Sequence, residues 1–268
     1  SAVFFPTSAW VCPVIYLMAF GLIAISGLLL RKIFVWESET PFIMELPEYK
    51  VPSLKLAVKN MFLQAKAFVV KASTIILVMN TLVWFLQSYN WKFQAIEDPS
   101  ASLLAGVGGI IAPLLIPLGF VGWQLAAAAI SGFIAKENVV STFAIILAVA
   151  SDETLHAVGG PLTTLFNPVT GFAFLAFNLF TPPCFAAIGA MRSELADRIW
   201  LRRAILFQLS VGYLVALIIS QFGSLIVYGT PATGFIPSLV VLAVYAVIIL
   251  VLIRRADATR RGKLATSH

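Results

Sequence analysis

Charge is what this sequence has least of: Asp, Glu, Lys and Arg make up 11% of its 268 residues while 60% are hydrophobic, against about a quarter charged in a typical soluble domain. That balance excludes a water-soluble globular domain. Cysteine is nearly absent as well. The only two, Cys12 and Cys184, lie in different apolar surroundings, which argues against a disulfide framework. No basic segment precedes the first apolar run and no cleavage signature follows it, so no signal peptide is expected. The chain opens at Ser1 without an initiator Met, as a fragment or a processed product would. A net charge of +6 does not point to nucleic acid, because the 18 Lys and Arg residues sit between apolar runs, where they report membrane topology.

What the sequence has in abundance is apolar runs of the length, roughly 17 to 25 residues, that crosses about 30 Å of hydrocarbon. The first spans about Trp10 to Leu30 and stops at Arg31-Lys32. Residues 34–53, with Thr40-Pro41 and Leu46-Pro47, read as a surface loop because each proline disfavours helix in the residue before it. From Leu54 the apolar positions Leu54, Val58, Met61, Ala65 and Phe68 keep helical spacing while Lys55, Lys59 and Lys66 take the other face. This predicts an amphipathic helix in the headgroup region leading into a second span, Ala67 to Leu86. Residues 103–150 are apolar but interrupted by Gly106, Gly108-Gly109, Pro113, Pro117, Gly119, Gly122 and Lys136-Glu137. Such breaks predict discontinuous or re-entrant helices buried in protein or lining a cavity. Three further spans follow, about Val169 to Ala190, Ala204 to Val227 and Ile236 to Ile253.

The expected fold is therefore all-α and polytopic. It has about five full transmembrane helices, a discontinuous or re-entrant region and an interfacial amphipathic helix. The divisions are 1–33, a first span; 34–66, a loop and amphipathic helix; 67–253, the membrane body; and 254–268, a basic tail. Seven basic residues fall within 31–71, four within 192–203 and five within 254–263. The positive-inside rule makes these segments cytoplasmic, including the C-terminus.

Three motifs carry candidate chemistry. In Phe180-Thr-Pro-Pro-Cys184, Pro182 and Pro183 cannot donate backbone hydrogen bonds, which frees the carbonyls of Asn178 and Leu179 inside an apolar run. Those carbonyls, the Asn178 amide and the Cys184 sulfur could form a polar site suited to a borderline or soft divalent ion. The plain alternative is a kinked span with a small buried cysteine. In Ser131-Gly-Phe-Ile-Ala-Lys-Glu-Asn138, an ionisable pair in an apolar stretch costs roughly 2.5–3.5 kcal/mol per charge on insertion scales. Ser131, Asn138 and Thr142 share one helical face, with Glu137 and Ser141 beside it, and could line an ion path. Equally, Lys136 and Glu137 could pair with neighbours and stabilise a helix break. The third motif, Glu39-Thr-Pro-Phe-Ile-Met-Glu45-Leu-Pro-Glu-Tyr49, reads as a docking or ion-passing loop or as a solvated linker. Asn80 is expected to bond to a neighbouring helix.

In this order and with these basic loops, the motifs resemble the bacterial ferrous iron transporter FeoB family, in the C-terminal part of its gate-type membrane permease domain. The resemblance implies Fe2+ as the transported ion, a multi-pass protein of the bacterial inner membrane, and Cys184 at the position of a gate-motif cysteine that handles the metal. From the residues themselves, Glu137 is expected as a second metal contact and Asn178, Pro182, Pro183, Lys136, Asn138 and Ser131 as the pathway or gate. Family members also carry an N-terminal GTPase domain and an upstream gate motif. The 268 residues contain no Gly-x-x-x-x-Gly-Lys-Ser/Thr, so no GTP site and no enzyme activity are expected on this chain. The expected partners are membrane lipid, a GTPase domain, the missing N-terminal permease half and a second copy of the chain, with no nucleic acid. Two other readings stay open: a gate-type carrier of an organic solute resembling nucleoside transporters, and a noncatalytic scaffold whose basic segments bind a partner or anionic lipid.

Overall fold

A computed structural model describes residues 11–33, 53–96, 98–134, 136, 138–147, 160–182, 184–195 and 197–266. They form helices α1 (Val11–Ile33), α2 (Leu54–Ser88), α3 (Leu103–Leu115), α4 (Trp123–Ile134), α5 (Asn138–Ile146), α6 (Pro168–Phe180), α7 (Phe185–Glu194), α8 (Arg198–Tyr228) and α9 (Phe235–Thr266). Among the described residues there is no β-sheet. Four helical stretches, Pro13–Ile33, Leu54–Ser88, Arg198–Tyr228 and Phe235–Arg255, are long and apolar enough to cross a membrane. A bent pair, Leu103–Leu118 with Trp123–Ile134, makes five if it counts as one span. The chain is a multi-pass membrane protein.

The chain divides into two compact units. One contains Met18–Thr74 and Val244–His268, and its described helices carry large apolar side chains exposed on all sides, such as Phe20, Ile23, Phe68 and Val247. Lipid is the solvent such surfaces require. The lysine-bearing amphipathic stretch is not set off from the span that follows it, since α2 runs unbroken for 35 residues, about 52 Å at 1.5 Å per residue.

The other unit, Ser1–Leu17 with Ile75–Ala243, holds the core. Phe120, Phe143, Phe166 and Phe174 are buried together, with ring centroids 5.1–5.7 Å apart in the four closest pairs, mostly edge to face, the arrangement aromatic quadrupoles favour. The interruptions expected at Gly106, Gly108-Gly109 and Pro113 do not occur, because α3 passes through all of them. The glycines are there for proximity. A Cβ on Gly108 would lie 2.8 Å from the Trp123 carbonyl and 3.2 Å from the Ala127 amide, so its absence lets α4 lie against α3 backbone to backbone. The real break is at residues 116–122, where Pro117 opens a 3-10 turn and Gly119 and Gly122 take positive φ of 76° and 101°. It bends the pair by 96°. Helix α8 satisfies the carbonyls this break exposes: Tyr213 Oη donates to Leu114 O at 2.8 Å and Gln221 Nε2 to Pro117 O at 2.8 Å.

Candidate site at two facing helix breaks

Helices α4 and α5 are separate, with only residues 135–137 between them. In one continuous helix Ser131 and Thr142 would stand about 16 Å apart along the axis, yet Thr142 Oγ1 donates to Ser131 Oγ at 2.9 Å. The chain therefore reverses at Lys136 and makes a short helical hairpin. Ser131 and Asn138 do not line one helical face, as expected, but sit on opposite arms of this hairpin. Ser131 is fully buried and also donates to Ala128 O at 2.9 Å.

The expected span from Val169 to Ala190 is likewise two helices. Asn167 caps the start of α6 by accepting the Thr170 amide at 2.8 Å, in a reciprocal capping box. Helix α6 ends at Phe180, where Thr181 is extended (φ −72°, ψ 161°) and its amide still reaches Phe177 O at 3.0 Å. Helix α7 restarts after Cys184, also extended (φ −173°, ψ 167°). The cause is local: two successive residues without an N–H, Pro182 and Pro183, prevent the ladder from continuing. A break, not a kink, is what they produce, and it leaves Cys184 as the N-cap of α7, its sulfur accepting the Ala187 amide at 3.4 Å. Pro182 is fully buried and Cys184 half-buried.

The hairpin tip and this break face each other. Phe133 meets Phe185 edge to face at 5.6 Å. The Asn178 amide oxygen occupies the space a side chain at residue 132 would need, with Val139 Cγ2 2.7 Å from the same point. Asn178 Nδ2 donates to Phe174 O at 3.0 Å, and Thr181 Oγ1 to Asn178 O at 3.4 Å. Lys136 Nζ reaches across to the Leu179 carbonyl at 3.4 Å. The two carbonyls that the prolines free are thus engaged, one by a hydroxyl and one by an ammonium. Glu137 and Pro183 lie outside the described residues, as do Glu39, Glu45 and Tyr49. Among the described residues no three His, Cys, Asp or Glu side chains converge as a closed metal site.

The close approach at Gly132 has a measurable consequence. With Gly132→Ala, the Asn178 amide must swing aside and give up its bond to Phe174, a loss of about 0.6 kcal/mol and up to about 1.7 in membrane proteins. A small drop in thermal stability in detergent is the expected result, and an unchanged or raised midpoint would contradict the packing described.

A polar arrangement extends from the outer arm of the hairpin to α2. Asn138 Nδ2 donates to Asn80 Oδ1 at 2.8 Å and Gln87 Nε2 to Thr142 Oγ1 at 3.0 Å. Between them lies a recess of about 190 Å³ lined by Asn80, Val83, Trp84, Gln87, Asn138 and Ser141, room for several waters. Asn80 finds the helix partner expected of it. Gln87 is a further member, signalled in the sequence by Asn80, Trp84 and Gln87 at i, i+4 and i+7 of an apolar helix.

Two half-length helical elements whose broken ends meet define a class, the multi-pass membrane proteins built on discontinuous helices, in which polar backbone is tolerated at depth only where protein or a cavity covers it. Comparison narrows this. Residues 69–198 match the Gate family model, "Nucleoside recognition", and residues 12–63 match "Ferrous iron transport protein B C terminus". The chain is 33% identical over 218 residues to the Fe(2+) transporter FeoB of Methanocaldococcus jannaschii, covering 79% of this chain and 32% of that protein. It is 33% identical over 213 residues to the Fe(2+) transporter FeoB of Staphylococcus aureus strain MSSA476 (80% and 31%) and 27% identical over 216 residues to that of Leptospira biflexa (75% and 31%). No solved structure gives a significant match. The chain belongs to the FeoB family and corresponds to its C-terminal, gate-type membrane region, spanning about a third of the length of the curated relatives it matches. The match to the ferrous iron transport model contains the Glu39–Tyr49 motif, and the Gate match contains both facing breaks.

Proposed function

We propose that this chain forms part of a ferrous iron permease and that the ion passes between the hairpin tip at Lys136 and the break at Cys184. The observation that carries the reading is the position of Cys184, whose sulfur caps a helix at a break faced by a second break. Ferrous iron accepts sulfur readily, whereas magnesium prefers oxygen. One thiol without a converging cluster suits weak, transient coordination completed by carbonyls and water, which a pathway needs because tight binding would slow release. Glu137, next to Lys136 in the sequence, is the candidate for a second contact. Asn178, Pro182, Pro183, Lys136, Asn138 and Ser131 shape the gate.

In this reading the protein lies in a bacterial inner membrane with its C-terminus and the Glu39–Tyr49 loop in the cytoplasm, as the basic segments favour. A GTPase domain and a second gate half, as in full-length transporters, work with it. The Gate model's description keeps an organic solute as the second reading, and the amide-lined recess at Asn80, Gln87 and Asn138 is its specific support.

Cys184→Ser in the full-length transporter tests the choice. It keeps size while replacing a soft ligand with a hard, neutral one, so ferrous iron uptake should fall about tenfold, with expression and thermal stability near the parent's. Uptake that survives the substitution, with nucleoside transport demonstrable in the same vesicles, would move the function to the second reading.

A further inference from the structure

Lys136 is the feature that this reading does not absorb. An ion path for a divalent cation should not present a positive charge, yet Lys136 places a half-buried ammonium where the two breaks meet. Its described hydrogen bond is to the carbonyl of Leu179, in the last turn of α6, where aligned peptide dipoles concentrate partial negative charge and a cation is favoured. This carbonyl is one of those the prolines release, so it is an oxygen a cation could use.

We propose that Lys136 is a tethered cation occupying the cation position of the break, and that it must leave the Leu179 carbonyl before a divalent ion can settle beside Cys184. The inference rests on the reading of Cys184 as a metal contact. Two observations support it: the ammonium sits on a carbonyl that backbone hydrogen bonding cannot use, and it is carried at the turn between α4 and α5, separate from the broken helix. Like charges in a poorly hydrated space repel strongly, so occupancy by Lys136 and by a divalent ion exclude each other. The lysine then closes the break to small cations when no substrate is present. It also selects for an ion whose affinity for sulfur is large enough to displace it, which a hard monovalent ion lacks.

The test uses the full-length transporter in detergent, under anaerobic conditions, with Co2+ as the probe because its sulfur-to-metal absorption reports thiolate contact. Each protein is read against its own Cys184→Ser counterpart, and the difference is the Cys184-dependent band. Lys136→Met, which keeps length and removes charge, should lower the Co2+ concentration at half-saturation about tenfold, a change of about 1.4 kcal/mol. Lys136→Gln keeps a donor for Leu179 while removing the charge, and should shift it in the same direction. Lys136→Arg should stay within about twofold of the parent, well under a tenfold step. If Lys136→Gln behaves as the parent, or either neutral variant weakens the band, Lys136 is only a helix cap and the proposal fails. If neither the parent nor any Lys136 variant shows a Cys184-dependent band, the metal reading of Cys184 fails first and this inference falls with it. Should Lys136→Met not fold, Lys136→Gln decides alone.

Discussion

On the proposed ferrous iron path, Gly212→Leu should abolish uptake and lower thermal stability strongly. Helix α8 packs against α6 more extensively than any other pair of elements, and Gly212 is where it crosses the break. A Cβ there would stand 2.9 Å from Thr181 Cγ2, 3.0 Å from the Thr181 amide nitrogen and 3.1 Å from the Phe180 carbonyl carbon. Two of those atoms are backbone, in the segment that ends α6 and positions Pro182 and Cys184, so no rotamer change can relieve the clash. Overpacking of a tight site costs typically about 1–3 kcal/mol. Here the relief available is a shift of the α6 end, and that shift separates the Leu179 carbonyl from Lys136. Gly109 is the control. It lies on α3 with nothing within 4 Å of an added Cβ, so Gly109→Ala should cost nothing and can gain up to about 1 kcal/mol in helix propensity. Thermal unfolding in detergent beside uptake in vesicles would show both. A Gly212→Leu protein with parental stability and transport would mean that α8 does not press on the break.

The second large effect is expected from replacing both prolines, Pro182→Ala with Pro183→Ala. Every other residue from Val169 to Ala190 accepts helix, and without the prolines those 22 residues could form one helix of about 33 Å, long enough to span the membrane. The amides of residues 182–184 would then be hydrogen-bonded to carbonyls four residues back, including those of Asn178 and Leu179. Lys136 would lose its acceptor, Cys184 would turn onto a continuous helical face, and Ala187 would bond to the carbonyl of residue 183 in place of the Cys184 sulfur. Uptake should be lost although the protein stays folded and membrane-inserted, because an unbroken span is at least as stable in lipid. Hydrogen exchange separates this from simple unfolding. The new amides of residues 182 and 183 and that of Cys184 should be strongly protected while those in α8 keep their parental rates. Fast exchange across the whole segment would instead mean that the two halves cannot join and that tertiary contacts alone hold the break.

Much of the fold is legible in the chain because membrane insertion depends on local quantities. The length of an apolar run and the placement of Arg31-Lys32 or Arg254-Arg255 are read residue by residue, and four of the predicted spans are found as long apolar helices with their ends shifted, whereas Val169 to Ala190 is two shorter helices. The break after Phe180 is legible for the same reason, since Pro182 and Pro183 act on the backbone beside them. The glycines of α3 mislead because a glycine interrupts a helix or lets two helices touch, and which it does depends on what lies opposite. Gly108 faces the backbone of α4, so the helix runs on and the bend comes later, at Pro117 to Gly122, where positive φ is required.

By itself, then, the sequence determined that this is a multi-pass membrane protein, that it has helix breaks near Lys136 and Cys184, and which family it resembles. Only the tertiary structure decided that these breaks face each other. Lys136 meets a carbonyl 43 residues away, Asn138 an amide 58 residues away and Gln87 a hydroxyl 55 residues away. No periodicity spans such distances. Those pairings follow from which helices pack together, and packing is set by glycine contacts and ring stacking in three dimensions, whereas hydropathy records only that a segment prefers lipid or protein to water.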